Sequence, residues 1–149
     1  MAMQLTSSAF SNGQSIPTEY TGDGSDRSPP LQWTDPPEGA KSLALICEDP
    51  DAPRGTWTHW VLFNLPAGLR ELPEGSKLAD GAREGKNDFG KLGYGGPAPP
   101  RGKPHRYFFK LYALDTPLKL SAGATRAALL SAIKGHTLAE AELMGTYQR

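Results

Sequence analysis

The chain has 149 residues, 16 basic and 16 acidic side chains in balance, and a single cysteine, Cys47. That length fits one domain over 1–149 with a real core, and the charge balance removes the electrostatic footprint of a nucleic-acid or anionic-membrane binder. One cysteine excludes an intrachain disulfide and fits a reducing, cytoplasmic compartment. No stretch approaches the roughly 20 apolar residues of a membrane span. Met1–Leu5 lacks both the basic start and the apolar segment of a signal peptide.

Taken in chain order, Leu31–Thr34 is a weak strand candidate. Lys41–Glu48 reads as a stronger one: Leu43, Leu45 and Cys47 alternate with Ala44 and Ile46, so both faces are apolar. Thr56–Leu65 follows, dense in Trp57, Trp60, Val61, Leu62 and Phe63. The polar, glycine-punctuated stretch Glu71–Gly93 reads as a long loop, and loops of that length are functional or mobile. Gly93 to Pro104 then holds four glycines and four prolines, a composition that shapes a loop through fixed and unusual φ values.

His105–Leu114 is the third strong strand, with Tyr107, Phe108, Phe109, Leu111 and Tyr112. A helix is expected after Thr125 as N-cap, with an apolar stripe of Leu129, Leu130 and Ile133, Lys134 in its last turn and Gly135 at the C-cap. Leu138–Tyr147 reads as strand or helix. Seventeen glycines and fourteen prolines argue against a helical bundle. The expected class is mainly β: an antiparallel β-sandwich with one or two short helices.

Strand parity gathers the polar residues. Leu43, Leu45, Cys47 and Asp49 share one face; Trp57, His59, Val61 and Phe63 share another; His105, Tyr107, Phe109 and Leu111 share a third. Where those faces meet, Asp49, His59, His105 and Tyr107 converge beside the Gly-Pro loop. Imidazole and phenol groups donate hydrogen bonds to an anion, and amides near Gly96, Ala98 and His105 complete a cradle. Asp49 either holds His59 in one tautomer or takes the ammonium of a zwitterionic head group. No Lys or Arg is needed, so free phosphate is expected to bind weakly.

Other polar residues have structural readings. Asp51 fits an Asx-type turn, Cys47 a small buried residue, His136 a surface or capping position, and Arg106 a structural ion pair. Three histidines without paired ligand spacing indicate no metal site; no cofactor is expected.

The ordered set Asp49-Pro50-Asp51-Ala52-Pro53, Trp57-Thr58-His59-Trp60, Gly93-Tyr94-Gly95-Gly96-Pro97-Ala98-Pro99-Pro100 and His105-Arg106-Tyr107 resembles the phosphatidylethanolamine-binding protein family, which includes the Raf kinase inhibitor proteins. The likeness is greatest to the short prokaryotic branch. The resemblance implies a sandwich of two antiparallel sheets with an anion pocket on Asp49, Pro53, Trp57, His59, Gly96, Pro99, His105 and Tyr107. It implies phosphate or phosphorylated head groups as ligands and, for some members, inhibition of a protein kinase or a serine carboxypeptidase. A cis Ala52–Pro53 peptide suits the tight turn. With the chain ending at Arg149, the C-terminal helix of larger members is expected to be missing, leaving the pocket more open or closed by a second subunit; a homodimer contact through Glu71–Gly93 would do this.

The leading functional reading is a non-enzymatic binding or regulatory protein for a phosphorylated or otherwise anionic group. The alternative is a hydrolase using Asp49, His59 and His105 as base and electrostatic stabiliser. No Ser or Cys in a nucleophile turn supports it.

Overall fold

The computed structural model describes residues 2–75, 78 and 81–149. Among these the elements run β1 (Gln4–Thr6), a 3-10 turn (Thr18–Tyr20), β2 (Leu31–Thr34), β3 (Ser42–Asp49), β4 (Trp57–Pro66), β5 (Glu71–Leu72), β6 (Arg83–Glu84), β7 (His105–Leu114), α1 (Arg126–Ile133) and β8 (Thr137–Tyr147). The strands form two antiparallel sheets, β1-β2-β5 and β6-β4-β3-β7-β8. The expected class, mainly β with two antiparallel sheets, is borne out.

β3 is buried along its whole length because it runs through the centre of the larger sheet and is covered on both sides. Leu43, Leu45 and Cys47 join Leu5, Leu31 and Trp33 of the smaller sheet in one core. Ala44 and Ile46 join Leu129 and Ile133 of α1 in a second core on the opposite face. This explains a strand with no polar stripe: neither face meets water.

α1 begins where Thr125 caps it, its hydroxyl accepting from the Ala128 amide at 3.1 Å. Leu129 and Ile133, four apart, bury against the sheet, while Leu130 is half-buried beside them. The C-cap is Lys134, one residue before the expected Gly135, which with φ +83° follows it in the left-handed conformation that glycine adopts without strain. Arg126 ties the helix start to the sheet through Nε and Nη2 contacts of 3.1 and 3.3 Å with Glu48, whose side chain is buried.

Leu138–Tyr147, left open between strand and helix, is strand: β8 pairs with β7 from Leu114↔Thr137 to His105↔Tyr147. Ala141 and Leu143 alternate into the first core, a period-2 pattern that a helix would break. Glu71–Gly93 is not one continuous loop. β5 pairs with β2 and β6 with β4, and residues 76, 77, 79 and 80 of that stretch lie outside the described residues. No described peptide bond is cis, so the expected cis Ala52–Pro53 is trans. No helix among the described residues is long and apolar enough to cross a membrane.

Candidate functional site

The ends of β3, β4 and β7 meet the Gly-Pro loop around a cavity of about 180 Å³. Asp49, Pro53, Trp57, His59, Pro99, His105 and Tyr107 line it, joined by Ala52, Phe89, Ala98 and Pro100. Gly96, expected in the same lining, instead borders a neighbouring depression with Asp26, Tyr94 and Gly95. Thus seven of the eight predicted positions share the cavity.

The two imidazoles reach it by different routes. His105 opens β7, two residues before Tyr107 on the same face, as parity requires. His59 departs from parity. In the β3–β4 ladder Cys47 faces Trp60 and Glu48 faces Thr58, leaving His59 as an extra residue. This β-bulge lets consecutive residues point to one side. Trp60 enters the first core, and the His59 ring stands edge-on to Tyr107 at 5.1 Å. Val61 and Phe63 lie in the second core under α1, so the expected single face Trp57-His59-Val61-Phe63 is corrected: the bulge splits it.

Each imidazole has one nitrogen engaged. His59 Nδ1 lies 2.6 Å from the Gly95 carbonyl oxygen. A carbonyl only accepts, so Nδ1 carries the proton. His105 Nδ1 lies 2.7 Å from Asp49 Oδ2, and again the imidazole donates. The other oxygen of Asp49 accepts from the Asp51 amide at 2.7 Å. Asp49 therefore holds His105, not His59, and closes the Asx turn expected of Asp51. Asp51 instead clamps Arg106, accepting from its backbone amide, Nε and Nη2, each at 2.9 Å; the ion pair expected of Arg106 is this one. The guanidinium holds the Asp51 carboxyl below its usual range.

One amide of the expected cradle, that of Gly96, is committed elsewhere. Gly95 N–H donates to the His59 carbonyl at 2.9 Å, and Gly96 N–H donates to Asp26 Oδ1 at 2.7 Å. Both amides brace the loop rather than face the cavity. A Cβ on Gly96 would strike the Tyr20 carbonyl and Asp26, which is the physical need for glycine there.

Electrostatically the cavity holds no fixed cation: neither Lys nor Arg lines it among the described residues. Burial pushes the His59 pKa down despite nearby Asp49, Asp26 and Asp88, so the ring is neutral near pH 7. Burial, then Asp49, pushes the Tyr107 phenol up, keeping its proton on. Cys47 is buried and pushed up likewise, first by burial and then by Glu48 and Asp49, an inert thiol.

Sequence reasoning missed Phe89. It is 42% exposed, yet its ring packs edge-on to Trp57 at 5.4 Å and to His59 at 5.5 Å, forming one wall of the mouth. Buried Asn87 places it: Oδ1 accepts from the Phe89 and Lys91 amides, and Nδ2 donates to the Gly93 carbonyl. Asp88 binds Thr58 of β4 through a side-chain oxygen and its own amide. The Asn-Asp pair ahead of Phe89-Gly90 is a turn signature that marks this element in the sequence.

Comparison with known proteins agrees with this fold. Residues 6–148 match the family described as phosphatidylethanolamine-binding protein. A protein of Methanothermobacter thermautotrophicus named UPF0098 protein is 54% identical, covering 99% of each chain. An Aquifex aeolicus protein of the same name is 49% identical, covering 99% of this chain and 89% of its own. Among solved structures, a phosphatidylethanolamine-binding protein homologue from Chlamydia trachomatis superposes with a TM-score of 0.94 at 48% identity, covering 99% of this chain and 98% of that one. Escherichia coli YbcL, described as a member of the mammalian family, also gives 0.94, at 37% identity over 100% and 99% of the two chains.

Proposed function

The chain belongs to the phosphatidylethanolamine-binding protein family, and we propose that it is a binding protein whose cavity takes a small oxyanion: phosphate, or the phosphoryl group of a head group or side chain. One observation carries this reading. The Nε2 atoms of His59 and His105 and the hydroxyl of Tyr107 have no hydrogen-bond partner among the described residues, although all three residues border one cavity and are buried. Buried polar groups without protein partners require a ligand or water to satisfy them. Three such groups around a hollow with apolar walls describe a recognition site for a compact polar group.

The apolar rim of Pro53, Trp57, Phe89 and Pro99 gives such a group an organic neighbour, so a phosphate ester is the better fit over free phosphate. The hydrolase reading retains an Asp49–His105 pair suited to a general base. It lacks the rest: no Ser, Thr, Cys or Lys lines the cavity among the described residues. Of the loop amides that would stabilise an oxyanion, those of Gly95 and Gly96 are bonded elsewhere.

Titration with phosphate and phosphoethanolamine, followed by NMR, tests the reading. His59, His105 and Tyr107 resonances are expected to move together with one saturating curve; scattered or absent shifts overturn it. His105→Ala, at a strand start, is expected to stay folded and lose the response. A protein partner, a kinase or protease included, would present its phosphorylated or acidic side chain to the same mouth. Partners held by wild-type bait and lost by a His59/His105 double-alanine bait would identify it.

A further inference from the structure

The hydrogen-bond polarity of the cavity says more than that an anion fits. Both imidazoles donate through Nδ1, one to a carbonyl and one to a carboxylate. In the neutral ring the remaining nitrogen, Nε2, is then an acceptor. For His59 the Gly95 carbonyl, which can only accept, sets the tautomer, and burial between Tyr107 and Phe89, at 3% exposure, disfavours a second proton. Tyr107 is 1% exposed, and its hydroxyl is a donor without an acceptor among the described residues. The site therefore asks for a ligand that donates at one atom and accepts at another.

A fully ionised phosphate or sulfate only accepts. It would leave the His59 lone pair facing an oxygen lone pair, beside the buried carboxylate of Asp49. No lysine or arginine among the described residues offsets this. Arg106 is committed to Asp51, and Arg149 to Asp23 with a further contact to the Pro99 carbonyl. The charged and titratable groups around His59 are Asp49 at the end of β3, Tyr107 and His105 on β7, Asp88 in the loop before Phe89, and Asp26 beside Gly96. No lysine or arginine belongs to that set.

We propose, resting on the oxyanion reading above, that the cavity selects the protonated form of an oxyacid monoester: the ligand's own P–O–H donates to Nε2 of His59 while a phosphoryl oxygen accepts from Tyr107. The ligand class is thus the singly protonated phosphate monoester, carrying one negative charge, and its dianion is rejected. No bond is made or broken. The proton stays on the ligand or is shared along the O–H···Nε2 axis. Selection by a single proton is effective because a buried acceptor left facing another acceptor has no solvent to repair the mismatch.

Methyl phosphate and methyl sulfate separate this idea from simple anion binding. Near pH 5.5, below the second pKa of about 6 for a phosphate monoester, both are monoanions of like size, and they differ in one P–O–H. Methyl phosphate is expected to bind wild-type protein about tenfold more tightly or better. In its complex the 15N signal of His59 Nε2 is expected to keep the character of an unprotonated nitrogen. Affinity for total methyl phosphate should then fall about tenfold per pH unit above that pKa. Methyl sulfate binding as tightly, or an Nε2 found protonated in the complex, overturns the selection while the oxyanion pocket stands. If neither ester moves His59, His105 or Tyr107, the pocket itself is refuted and the selection with it.

Discussion

His59 and Gly95 are bonded to each other twice: the imidazole Nδ1 donates to the Gly95 carbonyl at 2.6 Å, and the Gly95 amide donates to the His59 carbonyl at 2.9 Å. One bond sets the tautomer of the ring and the other fixes the strand to the Gly-Pro loop. The bulge that turns His59 inward and the loop that walls the cavity are therefore one mechanical unit. Tyr94, next to Gly95, adds to it by donating its hydroxyl to the Tyr20 carbonyl at 2.6 Å and packing edge-on to Trp60.

Two glycines of this loop should respond differently to alanine. A Cβ on Gly95 would sit 2.5 Å from a Phe89 ring carbon, and that ring is exposed enough to swing aside. Gly95→Ala is expected to cost about 0.5 kcal/mol and to move Phe89 off Trp57, seen as a change in tryptophan fluorescence. On Gly96 the Cβ would meet the Tyr20 carbonyl and the Thr21 backbone, which cannot rotate away. Gly96→Ala is expected to cost about 1–3 kcal/mol in urea unfolding. Equal losses would refute this division.

Asp49→Asn keeps an acceptor for the Asp51 amide but sets an amide N–H against His105 Nδ1. Two donors cannot share a hydrogen bond, so the His105 proton is expected to move to Nε2, readable by 15N chemical shifts. Exchanging a charge-assisted bond for a neutral one should cost about 1–2 kcal/mol. An unchanged tautomer would show that Asp49 does not orient this ring.

Stability should fall as acid is added, beginning with His59. Burial depresses its folded pKa, so the unfolded chain, with an ordinary value of about 6.5, takes up the proton first. The contribution is fully present above about pH 6.5 and declines as pH falls below it. Asp23 and Asp51, whose pKa values are lowered chiefly by Arg149 and Arg106, lose theirs only at lower pH, as their folded pKa values are crossed. Melting temperatures at pH 7.5 and 5.5 should differ in the wild type and differ less in His59→Phe. A slope identical in both proteins would exclude His59 as its source.

On the far face, Glu48 is buried between Arg126 at 3.1 Å and Lys110 at 3.7 Å. Arg126→Met removes the shorter pair and is expected to cost about 1–3 kcal/mol. Adding Glu48→Gln should recover part of that loss, since the stranded charge goes with it. Strictly additive losses in chemical denaturation would show that the two side chains do not interact.

Much was legible in the sequence because the signals are local. β7 and β2 have the expected limits, β3 and β4 are displaced by one residue, and the Thr125 cap and Gly135 stop delimit α1. The resemblance to the phosphatidylethanolamine-binding protein family rested on short ordered motifs and is borne out by the family match. The lining was less readable. Gly96 is essential to the loop through its steric fit beside Tyr20 and Asp26, a contact with residues some seventy positions earlier. Phe89 looked like part of a polar loop because its partners, Trp57 and His59, are about thirty residues away.

Alternation, capping and proline-glycine punctuation are short-range properties, so the chain's own order of residues determined its strands, its helix and the neighbourhood of His105 and Tyr107. Only tertiary pairing decided the rest. Registering β4 against β3 with both cores filled leaves His59 as an extra residue turned inward. That same fit gives Asp49 to His105 and turns the glycine amides onto His59 and Asp26.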